Sequence, residues 1–138
     1  MKHINIPKVG AFAHKCHKGQ FRWDGITPYI SHPLLVASKF TDPTYQAVAL
    51  LHDVMEDCGR TKQDLFNEGL PQDVIDAVAI LTKTKEMNYF DYIVSILDNK
   101  IAREVKIADI EHNMLTVVSD KKRAKYAIAL FLLKGYNR

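Results

Sequence analysis

Between Ala47 and Asp57 the sequence reads Ala-Val-Ala-Leu-Leu-His-Asp-Val-Met-Glu-Asp: an apolar helix that turns abruptly into four ionisable groups within six positions. In a continuous helix residues i and i+4 are neighbours, so His52 shares a face with Glu56, and Asp53 with Asp57. Leu50, Leu51 and Val54 hold the flanks of this cluster in a core. Charge partly buried beside such neighbours is costly unless it is paired or bound to metal. The plain alternative is a helix end with solvated carboxylates. Charge placement argues against it. Glu56 and Asp57 fall near the predicted helix C-terminus, where the dipole disfavours anions, and a bound cation removes the conflict.

The 138 residues suit a single domain, and we draw no boundary within 1–138. A chain of this length buries roughly two-thirds of its unfolded surface, so one core suffices without staples. With 47% hydrophobic and 25% charged residues it is neither a disordered chain nor a rod. The net charge of +3 is too mild for a nucleic-acid coat but suits a small polyanion. Cys16 and Cys58 form no metal-type pair, and a chain this long needs no disulfide. The apolar run Ala127 to Leu133 is far shorter than the ~20 residues of a membrane span, and the first residues carry no leader signature. The expectation is a reduced, cytoplasmic protein with no membrane or nucleic-acid partner, alone or as a homo-oligomer.

The punctuation predicts helices joined by short turns. Pro7 opens a first helix that Gly19 ends, and a flexible Gly/Pro-marked loop follows to Tyr29. Ser31 is the predicted N-cap of a short helix carrying Pro33, Leu35, Val36 and Phe40. Asp42-Pro43 starts the next, which runs through the His-Asp cluster to Gly59. Thr61 to Asp64 resembles a capping box, with Gly69 as the stop. Pro71 opens a helix with Val74, Ile75, Val78 and Leu81 on one face. Two more carry Tyr89, Tyr92, Ile93, Ile96 and Leu97, then Ile101, Val105, Ala108, His112 and Leu115. Ser119 caps the last, with Ala124, Ile128, Phe131 and Leu132 as its apolar marks. No useful segment alternates with period two, so the predicted class is all-α.

Two further segments put polar groups beside apolar ones. In Val105 to Asn113, Asp109 and Asn113 stack at i and i+4; in Tyr29 to Pro33, His32 falls in the first turn of a helix. Either is, alone, an ordinary solvated face or surface histidine. Together His32, His52, Asp53 and Asp109 supply two imidazoles and two carboxylates. That set suits Mn²⁺, Fe²⁺ or Zn²⁺ better than Ca²⁺. Four ligands on an octahedral ion leave positions for water and substrate, with Glu56 and Asp57 placed to orient or deprotonate that water. Spacing alone does not bring the three segments together.

The motifs resemble a known family. Ala13-His14, then Gly19-Gln20-Phe21-Arg22, Gly25, Pro28-Tyr29-Ile30, His32-Pro33-Leu34 and Val36-Ala37 resemble the opening of the RelA/SpoT-type alarmone hydrolase domain. Leu51-His52-Asp53 with Glu56-Asp57 resembles its HD…ED motif. Val105 to Asp109 with His112-Asn113-Met114 resembles its third motif. The resemblance is collinear and covers roughly residues 10 to 116. It implies an HD-domain phosphohydrolase helical bundle that removes the 3′-pyrophosphate of (p)ppGpp, usually with Mn²⁺. On that basis His32, His52, Asp53 and Asp109 become metal ligands, and Glu56 and Asp57 the pair that activates water. Arg22 packs on guanine, and Asn113 and Thr116 contact the nucleotide.

There is no synthetase or regulatory region in this sequence, so it resembles the small stand-alone hydrolases typified by the metazoan SpoT homologue. Ile110 stands where the family usually has a basic residue, and Glu111 where it usually has an apolar one. Lys83 and Lys85 read as solvated helix-end lysines. Other readings are an HD phosphohydrolase acting on a nucleoside monophosphate or NADPH, and a non-catalytic nucleotide-binding module.

Overall fold

The computed structural model describes residues 3–136. Among them are nine helices: α1 (Ile6–Cys16), α2 (Ser31–Ala37), α3 (Pro43–Leu51), α4 (Val54–Cys58), α5 (Lys62–Asn67), α6 (Gln72–Ile80), α7 (Tyr89–Ile96), α8 (Lys100–Met114) and α9 (Asp120–Gly135). None is long and apolar enough to cross a membrane.

Capping side chains set most helix starts. Asp42 accepts from Thr44 N–H at the head of α3, and Ser119 from Lys122 N–H at the head of α9. Thr61 and Asp64 form the reciprocal box before α5. Asn88 and Asn99 cap α7 and α8 in the same way. Ser31 does not cap α2. It is the first helical residue, entered from a turn in which Ile30 is already helical.

Helix α3 is the hub. Ala47, Val48, Ala49, Leu50 and Leu51 are all buried, and α3 packs against α1, α2, α6 and α8. A helix apolar all round must be surrounded. Burial of such side chains contributes roughly 25 cal/mol per Å² of apolar surface removed from water. Helix α8 lies across α2, α3 and α6, and α9 closes the bundle over α7 and α8.

Three further expectations change. The helix from Asp42 does not run unbroken to Gly59; it breaks at His52–Asp53 into α3 and α4. Adjacent residues in a continuous helix point about 100° apart, so the break lets both side chains approach one point. It also puts Glu56 and Asp57 in the first turn of α4. The adverse dipole is therefore removed by the break itself. In α9 the buried face is Ala129 and Leu133, leaving Ile128 and Phe131 exposed. Finally, the Gly19–Tyr29 loop is braced. Phe21 and Pro28 form an antiparallel bridge, Arg22 N–H donates to Thr27 C=O, and the Asp24 carboxylate collects Ile26 N–H, Thr27 N–H and the Thr27 hydroxyl.

Candidate metal centre

Three helical segments bring His32, His52 and Asp109 together. One donor atom from each lies within 4.8 Å of the others, and all three residues are buried. His32 comes from the first turn of α2, His52 from the α3–α4 break, and Asp109 from the middle of α8. His32 Nε2 lies 2.6 Å from Asp109 Oδ1. His52 Nε2 lies 3.4 Å from that same oxygen and 3.0 Å from Asp53 Oδ2. Asp53 thus borders the trio through His52.

The donor chemistry fits a divalent cation. His52 Nδ1–H donates to the Ala49 carbonyl at 2.6 Å, so in the neutral ring Nε2 carries a lone pair. That buried Nε2 has no hydrogen-bond partner, although two carboxylate oxygens lie close by. A lone pair facing anionic oxygens is repulsive unless a cation lies among them. Two imidazoles and two carboxylates provide the mixed nitrogen and oxygen set of a transition-metal site.

Charges around the centre have the same logic. Burial disfavours an ionised Asp109, yet the Lys106 ammonium, 2.8 Å from Oδ2, and then the histidines hold its pKa well below the ordinary range. Burial also opposes ionisation of Asp53, and His52 outweighs it. For His52 burial is again the adverse effect, overcome by Asp53 and Asp109, so its pKa is raised. A proton and a metal ion therefore compete for the same position. Burial pushes Asp57 up to about 6, helped by Asp53 and Glu56.

Three groups without an assigned role in the sequence hold the donors in place. The Tyr29 hydroxyl donates to Asp53 Oδ2 at 2.5 Å. Lys106 braces Asp109, and His112 Nδ1 lies 2.7 Å from His32 Nδ1. All three fall inside the quoted motifs, which was the signal available. Glu56 and Asp57 stay near the surface on α4, and Glu56 Oε1 accepts the Lys83 backbone N–H at 2.8 Å.

A cavity of about 320 Å³ adjoins the centre, with Tyr29 in its wall. Arg22, Asn113 and Thr116 all line it, together with Phe21, Trp23, Val117, Val118, Lys122 and Tyr126. Arg22 is held by Asn113, while Trp23 is 70% exposed. Lys83, Lys106, Lys121 and Lys122 lie close enough to Lys125 to depress its pKa, after burial as the first cause. Lys83 is half-buried and part of this basic surface, while Lys85 is exposed. The unusual Ile110 is buried in the core, and Glu111 pairs with Lys134 of α9 at 3.0 Å. Neither lines the cavity.

A family profile for the HD domain matches residues 10–128. The guanosine-3′,5′-bis(diphosphate) 3′-pyrophosphohydrolase of Haemophilus influenzae is 35% identical over 128 residues, which cover 80% of this chain and 19% of that protein. The bifunctional (p)ppGpp synthase/hydrolase SpoT of Escherichia coli is 35% identical over 141 residues, covering 91% of this chain and 20% of its own. This chain thus spans about a fifth of these curated relatives. A solved structure of a metazoan SpoT orthologue that hydrolyses ppGpp matches with a TM-score of 0.76 at 23% identity, covering 99% of this chain and 90% of the other.

Proposed function

The chain belongs to the HD-domain family, and we propose that it is a metal-dependent hydrolase that removes the 3′-pyrophosphate of (p)ppGpp. The observation that carries this reading is the contiguity of centre and cavity. Tyr29 lines the cavity and also binds Asp53, while Asn113 lines it and donates through Nδ2 to Asp109 Oδ1 at 3.3 Å. A nucleotide lying in the cavity has its phosphates beside the buried donors. The names of the 35% identical relatives support the same substrate.

His32, His52, Asp53 and Asp109 would hold the ion, for which we favour Mn²⁺ over Fe²⁺ or Zn²⁺. When bound, it neutralises phosphoryl oxygens and acidifies water. Water attacks the phosphorus attached to the ribose 3′ oxygen, and that P–O bond breaks. The departing 3′ oxygen takes a proton from solvent, and the products are pyrophosphate and GDP or GTP with a free 3′ hydroxyl. Asp57, whose pKa of about 6 is close to neutrality, accepts the proton of the attacking water. Glu56, anchored by Lys83 N–H, orients that water. Arg22 covers the purine, Asn113 and Thr116 contact the nucleoside, and the lysines by the cavity attract the polyanion. The free thiols of Cys16 and Cys58 agree with action in the cytoplasm. The proposed partner is this nucleotide alone, without nucleic acid, for a monomer or a homo-oligomer.

The test is a product-release screen with Mn²⁺ over ppGpp, pppGpp, nucleoside monophosphates and NADPH. Pyrophosphate from ppGpp, abolished by chelation, is the expected result. Preferential phosphate release from a monophosphate or NADPH would overturn the substrate, and no turnover of any of them would favour a binding module.

A further inference from the structure

His32 has two partners but, as a neutral ring, only one N–H. Its Nε2 faces Asp109 Oδ1 at 2.6 Å, and its Nδ1 faces Nδ1 of His112 at 2.7 Å. The His32 and His112 ring planes are 19° apart with centroids 4.9 Å apart. Two rings this nearly parallel, with facing nitrogens at 2.7 Å but centroids as far apart as 4.9 Å, meet edge to edge rather than face to face. That is the geometry of an N–H···N bond. It contrasts with His32 and His52, whose planes cross at 72°.

We infer that His112 is a positioning residue that fixes the orientation and tautomer of His32. The inference rests on the metal reading above. For His32 Nε2 to turn a lone pair toward a cation, the ring proton must sit on Nδ1. A proton there needs an acceptor, and His112 Nδ1 is the group in place. His112 lies one helical turn beyond Asp109 on α8. One helix therefore carries both a donor and the group that aims a second donor from α2.

Metal-binding histidines usually pass their second N–H to a carboxylate, a carbonyl or water. An imidazole here accepts the hydrogen bond without adding a third negative charge. The centre already carries Asp53 and Asp109, and another anion would repel an incoming phosphate.

The experiment measures Mn²⁺ affinity calorimetrically in metal-free protein for the unmodified chain, His112→Phe and His112→Gln. Phe keeps a flat ring but accepts no hydrogen bond, while the Gln amide oxygen accepts one. The expected result is a ten- to hundredfold weaker Kd for His112→Phe, the usual scale for such outer partners, and substantial recovery in His112→Gln. In Zn²⁺-loaded protein, ¹⁵N spectra should show His32 protonated at Nδ1 in the unmodified and Gln forms. Equal affinity in the unmodified and Phe proteins overturns the role of His112. Equal loss in both variants also overturns it, since packing is then responsible. Failure of the unmodified chain to bind Mn²⁺ overturns the metal reading itself, and this assignment with it.

Discussion

Arg22 Nη2 donates to Asn113 Oδ1 at 3.2 Å, across 91 positions of sequence, and the amide nitrogen of the same Asn113 donates to Asp109. The bridge couples the wall of the cavity to a donor of the buried centre. Replacing Arg22 by Ala should therefore reduce kcat/KM for ppGpp by about ten- to a hundredfold, the scale of one stacking contact plus some misalignment. A small phosphate ester with no base should be cleaved equally by both forms. Equal losses on the two substrates would assign Arg22 to the phosphate site or the fold. Combined with Asn113→Ala, the two losses should fall short of additivity, because each variant already breaks the shared bond.

Asp57 links activity to stability with opposite signs. A carboxyl whose folded pKa lies above its unfolded value favours the fold at low pH. That benefit is lost as pH rises from near 4 to about 6. The group is exposed, so we discount the nominal shift to about 1 kcal/mol. Metal-free Asp57→Asn should match the unmodified protein near pH 4 and melt about 4 °C higher at pH 7.5. Its turnover should fall by roughly two to four orders of magnitude with metal content unchanged. A lower Tm at pH 7.5 would refute the electrostatic account, and loss of metal would refute the assignment to water.

Chelation should destabilise the protein. Donors from α2, the α3–α4 break and α8 converge only in the fold, so a cation binding them stabilises the native state by mass action. At a hundredfold excess over Kd this contributes about 2.7 kcal/mol. Thermal melts with and without a chelator, followed by Mn²⁺ addition, measure it directly. An unchanged Tm on adding Mn²⁺ would contradict the fit of these residues to a metal.

Helix α4 ends on Gly59 at φ 67°, and an added Cβ there meets no atom within 4 Å. The cost of Gly59→Ala is thus conformational alone. It should be about 1 kcal/mol, or about 4 °C in Tm, seen in a two-state melt. A neutral outcome would mean that α4 relaxes its last turn without loss.

Three helix starts were readable because a side chain caps its own neighbours. Asp42, Thr61 and Ser119 act within three residues, so local sequence holds the whole interaction. Asn88 and Asn99 cap α7 and α8 by the same rule, although those helices were recognised from their apolar spacing alone. The break at His52–Asp53 was not. Both flanks are good helix formers, and what interrupts them is the need for two adjacent side chains to reach one place. Helix α9 failed differently, because Ala127 to Leu133 is apolar at every position and a continuous run has no phase to show which face turns inward. Motif spacing suggested His32, His52, Asp53 and Asp109 as a set, but their convergence depends on packing across as many as 77 positions. Tyr29, Lys106 and His112 fall inside the motifs, but their contacts with the donors depend on the same packing.

The bond from His52 Nδ1–H to the Ala49 carbonyl makes one half of the centre genetically robust. Every amino acid carries a backbone carbonyl, so no single codon change at position 49 deletes that acceptor while α3 stays helical. The buried methyl of Ala49 is constrained by the core, a separate matter from the orientation of the ring. The corresponding latch on His32 is a side chain, and one nucleotide change in the His112 codon removes it. Two imidazoles that look equivalent at the centre therefore differ in their exposure to mutation, and variation that weakens the site should accumulate on the α2–α8 side.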